Sequence, residues 1–399
     1  MTTKMSLPYY ISWSKQNAVA TLPIASNRDC TMILEDGQEL LDLSGISFQA
    51  GFGLNNPVIL KSMQEQISSN LSLCSPKAQF QLKDEMAQKL INLVGFEGKV
   101  FWTVSGAESV ENALKMIKLA TGKHKILARK RSYHGATMGA LAATGDWRHD
   151  PFFPEGSDTI RIPEPSDDPD LTKTRDLISQ HGPENIAAFI IETVTGGNGV
   201  WVLPTSWWQG IQDLCDEFDI KLIVDEVVTG FYRTGKAMGF HHYPVKPDVV
   251  CMAKAITGGF APFGAVWTAP WIAKHFEDNI LACGLTNYGH PLGLAALSGV
   301  FKLIEDPAFH VRLKENIEIF NQKLNQIENH QNIKAIRKLG LLGIIEHKGK
   351  ITFEEYQKVG LFVYNHEGDA ILSPAMTMQP SELSDGLDKL IKVICEKSM

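Results

Sequence analysis

From about residue 99 the chain alternates two patterns: short, almost unbroken apolar runs, and longer stretches whose apolar residues recur every three or four positions. "KVFWTVS" (99–105), "IAAFIIETV" (186–194), "KLIVDEVV" (221–228) and "DVVCMAK" (248–254) are of the first kind, with "KILARKRS" (125–132) a less apolar member. Runs of this length read as strands buried on both faces. Between them, "GAESVENALKMIKLA" (106–120) carries Val110, Leu114 and Ile117 on one helical face. "GATMGALAAT" (135–144) reads as a short helix, and "PTSWWQGIQDLCDEFD" (204–219) as a helix opened by Pro204. Strands alternating with helices predict an α/β fold, with a mostly parallel sheet covered on both faces.

Beyond about residue 308 the pattern changes to a long polar helix (310–329) and short strands around "GLLGIIEH" and "DAILSPAM". This predicts a large domain over residues 46–307. A smaller α+β domain is expected from residues 1–45 and 308–399 together. A chain of 399 residues is long enough for such a division.

Composition narrows the functions rather than the fold. The 44% hydrophobic and 21% charged residues are ordinary for a globular protein. A net charge of −7, with no basic run, argues against nucleic acid as a partner. No apolar window approaches a membrane span, and the N-terminus has no signal-peptide pattern. The six cysteines are scattered, without a C-x-x-C pair, so neither metal ligation nor a disulfide framework is expected. A reducing cytoplasm is the expected setting.

In parallel α/β sheets, ligands bind beyond the carboxyl ends of the strands, and four features fall there. "VSGAE" (104–108) turns a strand into a helix at Ser105 and Gly106, whose free amides suit a phosphate. The plainer reading is a Ser105 N-cap with Glu108 completing a capping box. "SYHG" (132–135) sets Tyr133 and His134 just past a strand. "IVDEVVTGFYRTG" (223–235) ends a buried strand on Asp225 and Glu226. Neighbouring strand residues point to opposite faces, so one carboxylate should meet a ligand and the other the packing, for which a salt bridge from Glu226 to Arg233 is one candidate. Lastly, Lys254 interrupts an apolar run between Met252 and Ile256. A desolvated lysine has a lowered pKa and forms Schiff bases, although an isolated lysine more often extends its head to solvent. A phosphate cradle, an aromatic platform, a buried aspartate and a reactive lysine are together what pyridoxal 5′-phosphate requires.

With these residues in view, the chain resembles the class III (ω-type) aminotransferases of the fold-type I pyridoxal phosphate enzymes. The likeness runs from about residue 13 to residue 380, and its most specific part is "DEVVTGFYRTG" followed by "KPDVVCMAKAITGGFAPFGA". Lys254 follows Asp225 by 29 positions, as the family would have it. The resemblance implies a seven-stranded sheet in the large domain and amino transfer from an amine or amino acid to a keto acid such as pyruvate or 2-oxoglutarate. It implies Lys254 as the lysine joined to the cofactor's aldehyde, Asp225 as partner of the pyridine nitrogen, and Val227 and Tyr133 against the two ring faces. It further implies Ser105, Gly106 and Ala107 at the phosphate and His134 and Glu192 nearby. Thr286 of "LTNYGHP" would reach the cofactor of a neighbouring subunit, so a homodimer with shared active sites is expected.

The substrate side departs from the family. Thr195 replaces a usual glutamine in "ETVTG", Gly197 stands where ornithine and 4-aminobutyrate enzymes carry a gating glutamate, and Leu54 where a histidine is frequent. The C-terminal arginine that grips an α-carboxylate is missing, and Tyr364 or Asn365 falls near its place. The stretch between Glu346 and Leu361 is short. Trp13, Ile46, Phe48 and Tyr364 are the expected substrate-side residues, with Arg148 as a candidate carboxylate reader. "RSYHGAT" and "ATGDWR" resemble the branch acting on ω-amino acids or taurine with pyruvate. Decarboxylation or amino-group migration on the same cofactor, or a degenerate non-catalytic homologue, are the alternatives left open by the sequence.

Overall fold

The computed structural model describes residues 7–17, 19 and 21–396. The remainder of the two expected outer segments, residues 1–6 and 397–399, together with positions 18 and 20, lies outside the described residues. At the centre is a seven-stranded sheet, in the spatial order Lys99–Thr103, Gly264–Thr268, Val249–Met252, Lys221–Asp225, Ile186–Glu192, Lys125–Arg129, Thr159–Ile162. Neighbours run parallel except where Gly264–Thr268 enters antiparallel to both of its partners. Ile186–Glu192 is buried along its whole length, which is why it reads as an almost unbroken apolar run, and Gly264–Thr268, a strand the sequence reading lacked, is buried throughout as well.

Several expected strands end sooner than their apolar runs. Lys221–Asp225 stops at the aspartate rather than at residue 228, and Val249–Met252 stops before Lys254. The apolar residues that follow, Val227 and Val228, line a cavity rather than continue the sheet. Likewise the short helix is Met138–Ala143, because residues 133–137 form the loop that carries Tyr133 and His134. The long polar helix is Pro307–Gln326, capped by Asp306.

The two ends of the chain meet in a second sheet. Ile24–Arg28, Thr31–Leu34 and Glu39–Asp42 pair in turn, and Leu361–Phe362 joins the last in parallel. A third sheet orders Ile333–Leu339, Leu342–His347, Asp369–Leu372 and Tyr364–His366. Among the described residues no helix is long and apolar enough to cross a membrane.

Candidate active site

All the parallel strands present their carboxyl ends on one edge of the central sheet, and the chemistry-bearing residues follow from that. Asp225 ends its strand level with Glu192 on one side and Cys251 on the other. One cavity of about 330 Å³ opens here, and Asp225, Lys254, Tyr133, His134 and Glu192 share its wall with Gly106, Ala107 and Val227. Trp13, Phe48, Tyr364 and Arg148 line it from the other side.

Lys254 begins a one-turn helix, Lys254–Ile256, with φ 48°, a left-handed conformation rare for a side-chain-bearing residue. Two tight turns hold it there: the amides of Thr257 and Gly259 both donate to the Lys254 carbonyl. Its Nζ lies 5.5 Å from the centre of the Phe48 ring. The accessible part of the side chain faces the cavity, and burial lowers its ammonium pKa against the pull of Asp225 and Glu192. The lowering favours the neutral amine, which is the nucleophilic form.

Asp225 is fixed by two donors. His134 Nδ1 is 2.8 Å from Oδ2, and the Val227 amide donates to Oδ1 over 3.1 Å. His134 is itself placed by its amide, which donates to Thr144 Oγ1, and its Nε2 is buried without a protein partner among the described residues. Glu192 accepts from the amides of Tyr133 and Gly196, one on each carboxylate oxygen, and so ties two loops to the sheet edge. Burial raises its pKa, the more so beside Asp225, while His134 works against the rise.

Gly106–Thr121 starts at this edge, with Ser105 as N-cap. Ser105 Oγ accepts from the Glu108 amide, but the Glu108 carboxylate reaches past Ser105 to the Val104 amide, so the expected capping box is offset by one residue. Ser105 is not among the residues lining the cavity, whereas Gly106 and Ala107, whose amides have no intrahelical acceptor, do line it. A Cβ on Gly106 would come within 3.0 Å of Val227, and one on Gly135 within 2.6 Å of Ala107. Glycine at both positions lets the loop, the helix start and Val227 close around one space.

The two adjacent carboxylates do part ways, but the Glu226–Arg233 salt bridge is not formed. Glu226 accepts from the hydroxyls of Thr193 and Thr229 and from the amides of Gly239 and Phe240. Arg233 instead donates to the carbonyls of Leu341 and Pro374. Four uncharged donors satisfy the carboxylate where the sequence offered a cation nearby.

Besides Ser105, three further residues singled out from the sequence lie off the cavity wall. Ile46 packs toward Met32, Leu34 and Leu40, and faces a separate small cavity beside Leu54 and Gly258. Its neighbour Ser47 lines the Lys254 cavity instead. Thr286 lines a different cavity, with Val104, Glu108 and Phe260. Asn365 spends its side chain on the Ile351 carbonyl and the Gly368 amide, leaving Tyr364 at the cavity wall.

Arg148, a candidate carboxylate reader from the sequence, lines the cavity in a setting the sequence does not show. The Arg148 guanidinium lies 4.6 Å from the Tyr133 ring centre, 5.1 Å from Trp147 and 5.4 Å from Trp13. Asp146 pairs with it at 2.5 Å and also accepts from Asn198 Nδ2. Arg148 Nε remains buried without a protein partner among the described residues. Only the fold brings Trp13 and Tyr133 to it.

The family model for class III aminotransferases matches residues 12–394. Acetylornithine aminotransferase of Pseudomonas putida is 30% identical over 380 residues, covering 90% of this chain and 89% of that one. Succinylornithine transaminase of Salmonella newport is 31% identical over 382 residues, covering 91% and 89%. The solved taurine:2-oxoglutarate aminotransferase of Bifidobacterium kashiwanohense, in complex with pyridoxal phosphate and glutamate, is 29% identical. It superimposes with a TM-score of 0.91 over 96% of this chain and 94% of that one. The cavity fits the same cofactor: a carboxylate at its floor, free helix-start amides at one end and a partly desolvated lysine in its wall. The chain belongs to the class III aminotransferases: it is a fold-type I, pyridoxal phosphate-dependent transaminase that moves amino groups to keto acids.

Proposed function

We propose that the cavity around Lys254 is the transamination site, and that it favours an amino donor carrying a second, negatively charged group away from the reacting amine. When bound, pyridoxal phosphate supplies an electron sink for the carbon that loses a proton. Lys254 Nζ serves first as the amine that holds the cofactor and then as the base and acid at that carbon. Its lowered pKa supports both roles. Asp225, held by His134, would pair with the cofactor's pyridine nitrogen, and the Gly106 and Ala107 amides would hold its phosphate. Tyr133 and Val227 bound the ring space, while Glu192 holds the Tyr133 loop in place.

The donor reading rests on one observation: Arg148 lines the cavity among three aromatic rings, with Nη1 on Asp146 and Nε without a protein partner among the described residues. A guanidinium in that setting recognises a carboxylate or sulfonate, and it stands in for the family arginine missing near Tyr364. The taurine enzyme named above acts on a donor of this kind, which adds support. 2-Oxoglutarate and pyruvate are the acceptors to try first. Thr286, in a cavity apart from Lys254, fits a homodimer in which a second copy supplies it to the phosphate end of the site.

The test compares donors with and without a remote anion. In Arg148→Leu, kcat/KM for taurine or an ω-amino acid should fall about 10- to 100-fold, with a plain alkylamine nearly unaffected. Equal losses for both donors would overturn the donor reading. Lys254→Ala should lose turnover and the visible band of the lysine-bound cofactor; a variant that keeps both would overturn the site itself.

A further inference from the structure

The wall facing Lys254 is built on an unusual turn. Gly45, Ile46, Ser47 and Phe48 take φ values of 57°, 41°, 59° and 73°, four left-handed residues in succession. Glycine tolerates this; a β-branched isoleucine is held there against its preference. The turn is what sends Ile46 outward and brings Ser47 and Phe48 to the cavity.

Something must hold it, and the bonds converge on Asp42. One carboxylate oxygen accepts from the Ser44 amide over 2.8 Å and the other from the Ile46 amide over 2.9 Å. Asp42 is 2% exposed, so these bonds do not compete with solvent. Arg233, fully buried with Nε and Nη2 unpartnered among the described residues, attracts the charge through space. The hold extends across the site. Ser44 Oγ accepts from the Tyr364 amide over 2.6 Å and donates to the Ile371 carbonyl over 2.8 Å. Phe48 and Tyr364 then meet ring to ring, 6.2 Å between centres.

We propose that Asp42 is a positioning residue for the substrate pocket: it locks the left-handed turn Gly45–Phe48 and, through Ser44, sets the Phe48–Tyr364 wall opposite Lys254. This rests on the Lys254 cavity being the active site. Asp42 does not line the Lys254 cavity itself, so its influence belongs to donor fit and not to cofactor capture.

The experiment uses Asp42→Asn holoenzyme. An amide has one acceptor oxygen where the carboxylate has two, so one end of the turn is released. KM for the amino donor should rise about tenfold. The kcat at saturation should stay within about twofold. The visible cofactor band and the cofactor concentration giving half-saturation should not move. Adding Ile46→Gly, which removes the strain that Asp42 opposes, should return KM to within about threefold of wild type despite lost packing. Should Asp42→Asn not fold, Ser44→Ala cuts only the link to Tyr364 and should raise KM about threefold with unchanged cofactor affinity. An unmoved KM in these single variants overturns the proposal. So does cofactor affinity falling in step with kcat, or an Ile46→Gly addition that restores nothing. Failure of the active-site reading itself would appear separately, as unaltered turnover in Lys254→Ala.

Discussion

At the scale of single residues, the decisive contrast is between Asp225 and Glu226. Adjacent in sequence and both buried, they differ in what completes them. Asp225 has two protein donors and an open side toward the cavity, whereas Glu226 has four donors and none to spare. Burial raises the Glu226 pKa, and those donors oppose the rise. Glu226→Ala would strand two hydroxyls and two amides in the interior, at a cost of about 3–5 kcal/mol. Denaturant unfolding should register that loss, with Glu226→Gln in between because one acceptor survives. A loss under about 1 kcal/mol for the alanine variant would mean that water replaces the carboxylate. Asp225→Ala should behave in the opposite way, with stability nearly kept and the cofactor lost.

At the scale of elements, the loops at the sheet edge carry more of the function than the strands do. The strand cores were legible in the sequence because parallel strands buried on both faces need unbroken apolar runs, and Ile186–Glu192 is such a case. Where those strands stop was not legible, since Val227 and Val228 are as apolar as the strand before them and differ only in facing a cavity. The Lys254–Asp225 pair could be found because a charge inside an apolar run needs a reason. Arg148 could be named, but its cage of rings could not be foreseen, because Trp13 and Tyr133 are distant in sequence. Ile46 and Ser47 exchanged places because a left-handed turn reverses which side chain faces inward, and local propensity does not encode four such residues in a row. The Tyr133–Gly135 loop gives a test at this scale. Gly135 has φ 130°, and an added Cβ would sit 2.6 Å from that of Ala107. Gly135→Ala should push the loop off the helix start and weaken cofactor affinity at least about tenfold. The melting temperature of the cofactor-free protein should also fall somewhat, because Gly135 is buried. A cofactor titration with unchanged half-saturation would show that the loop can yield without disturbing the site.

At the scale of the whole molecule, Asp42 joins the outer sheet to the active-site wall, and its ionisation makes that junction pH-sensitive. Burial pushes its carboxyl from 3.8 up to about 7, with the amides of the turn and the Arg233 charge opposing the rise. The sign follows from proton counting. Between 3.8 and about 7 the folded protein keeps a proton on Asp42 that the unfolded chain has released. The native state is therefore favoured at the acid end of the window and loses stability as pH rises through it. The other groups facing Asp42 do not mask this. The Cys30 thiol is held near 12 by burial, with Glu382 and Asp42 adding to the effect, and burial lowers Arg233 only to about 10. Neither changes charge in the window. Asp42→Asn cannot titrate, so the stability of wild type relative to this variant should decline by about 2–3 kcal/mol from about pH 5 to about pH 8. Parallel denaturant curves for the two proteins at those pH values measure it directly. A difference that stays constant with pH would mean that Asp42 is already ionised at the acid end, with Arg233 compensating its burial in full. The same curves then bear on the pocket, because the ionised carboxylate is the stronger acceptor for the two amides that brace the turn.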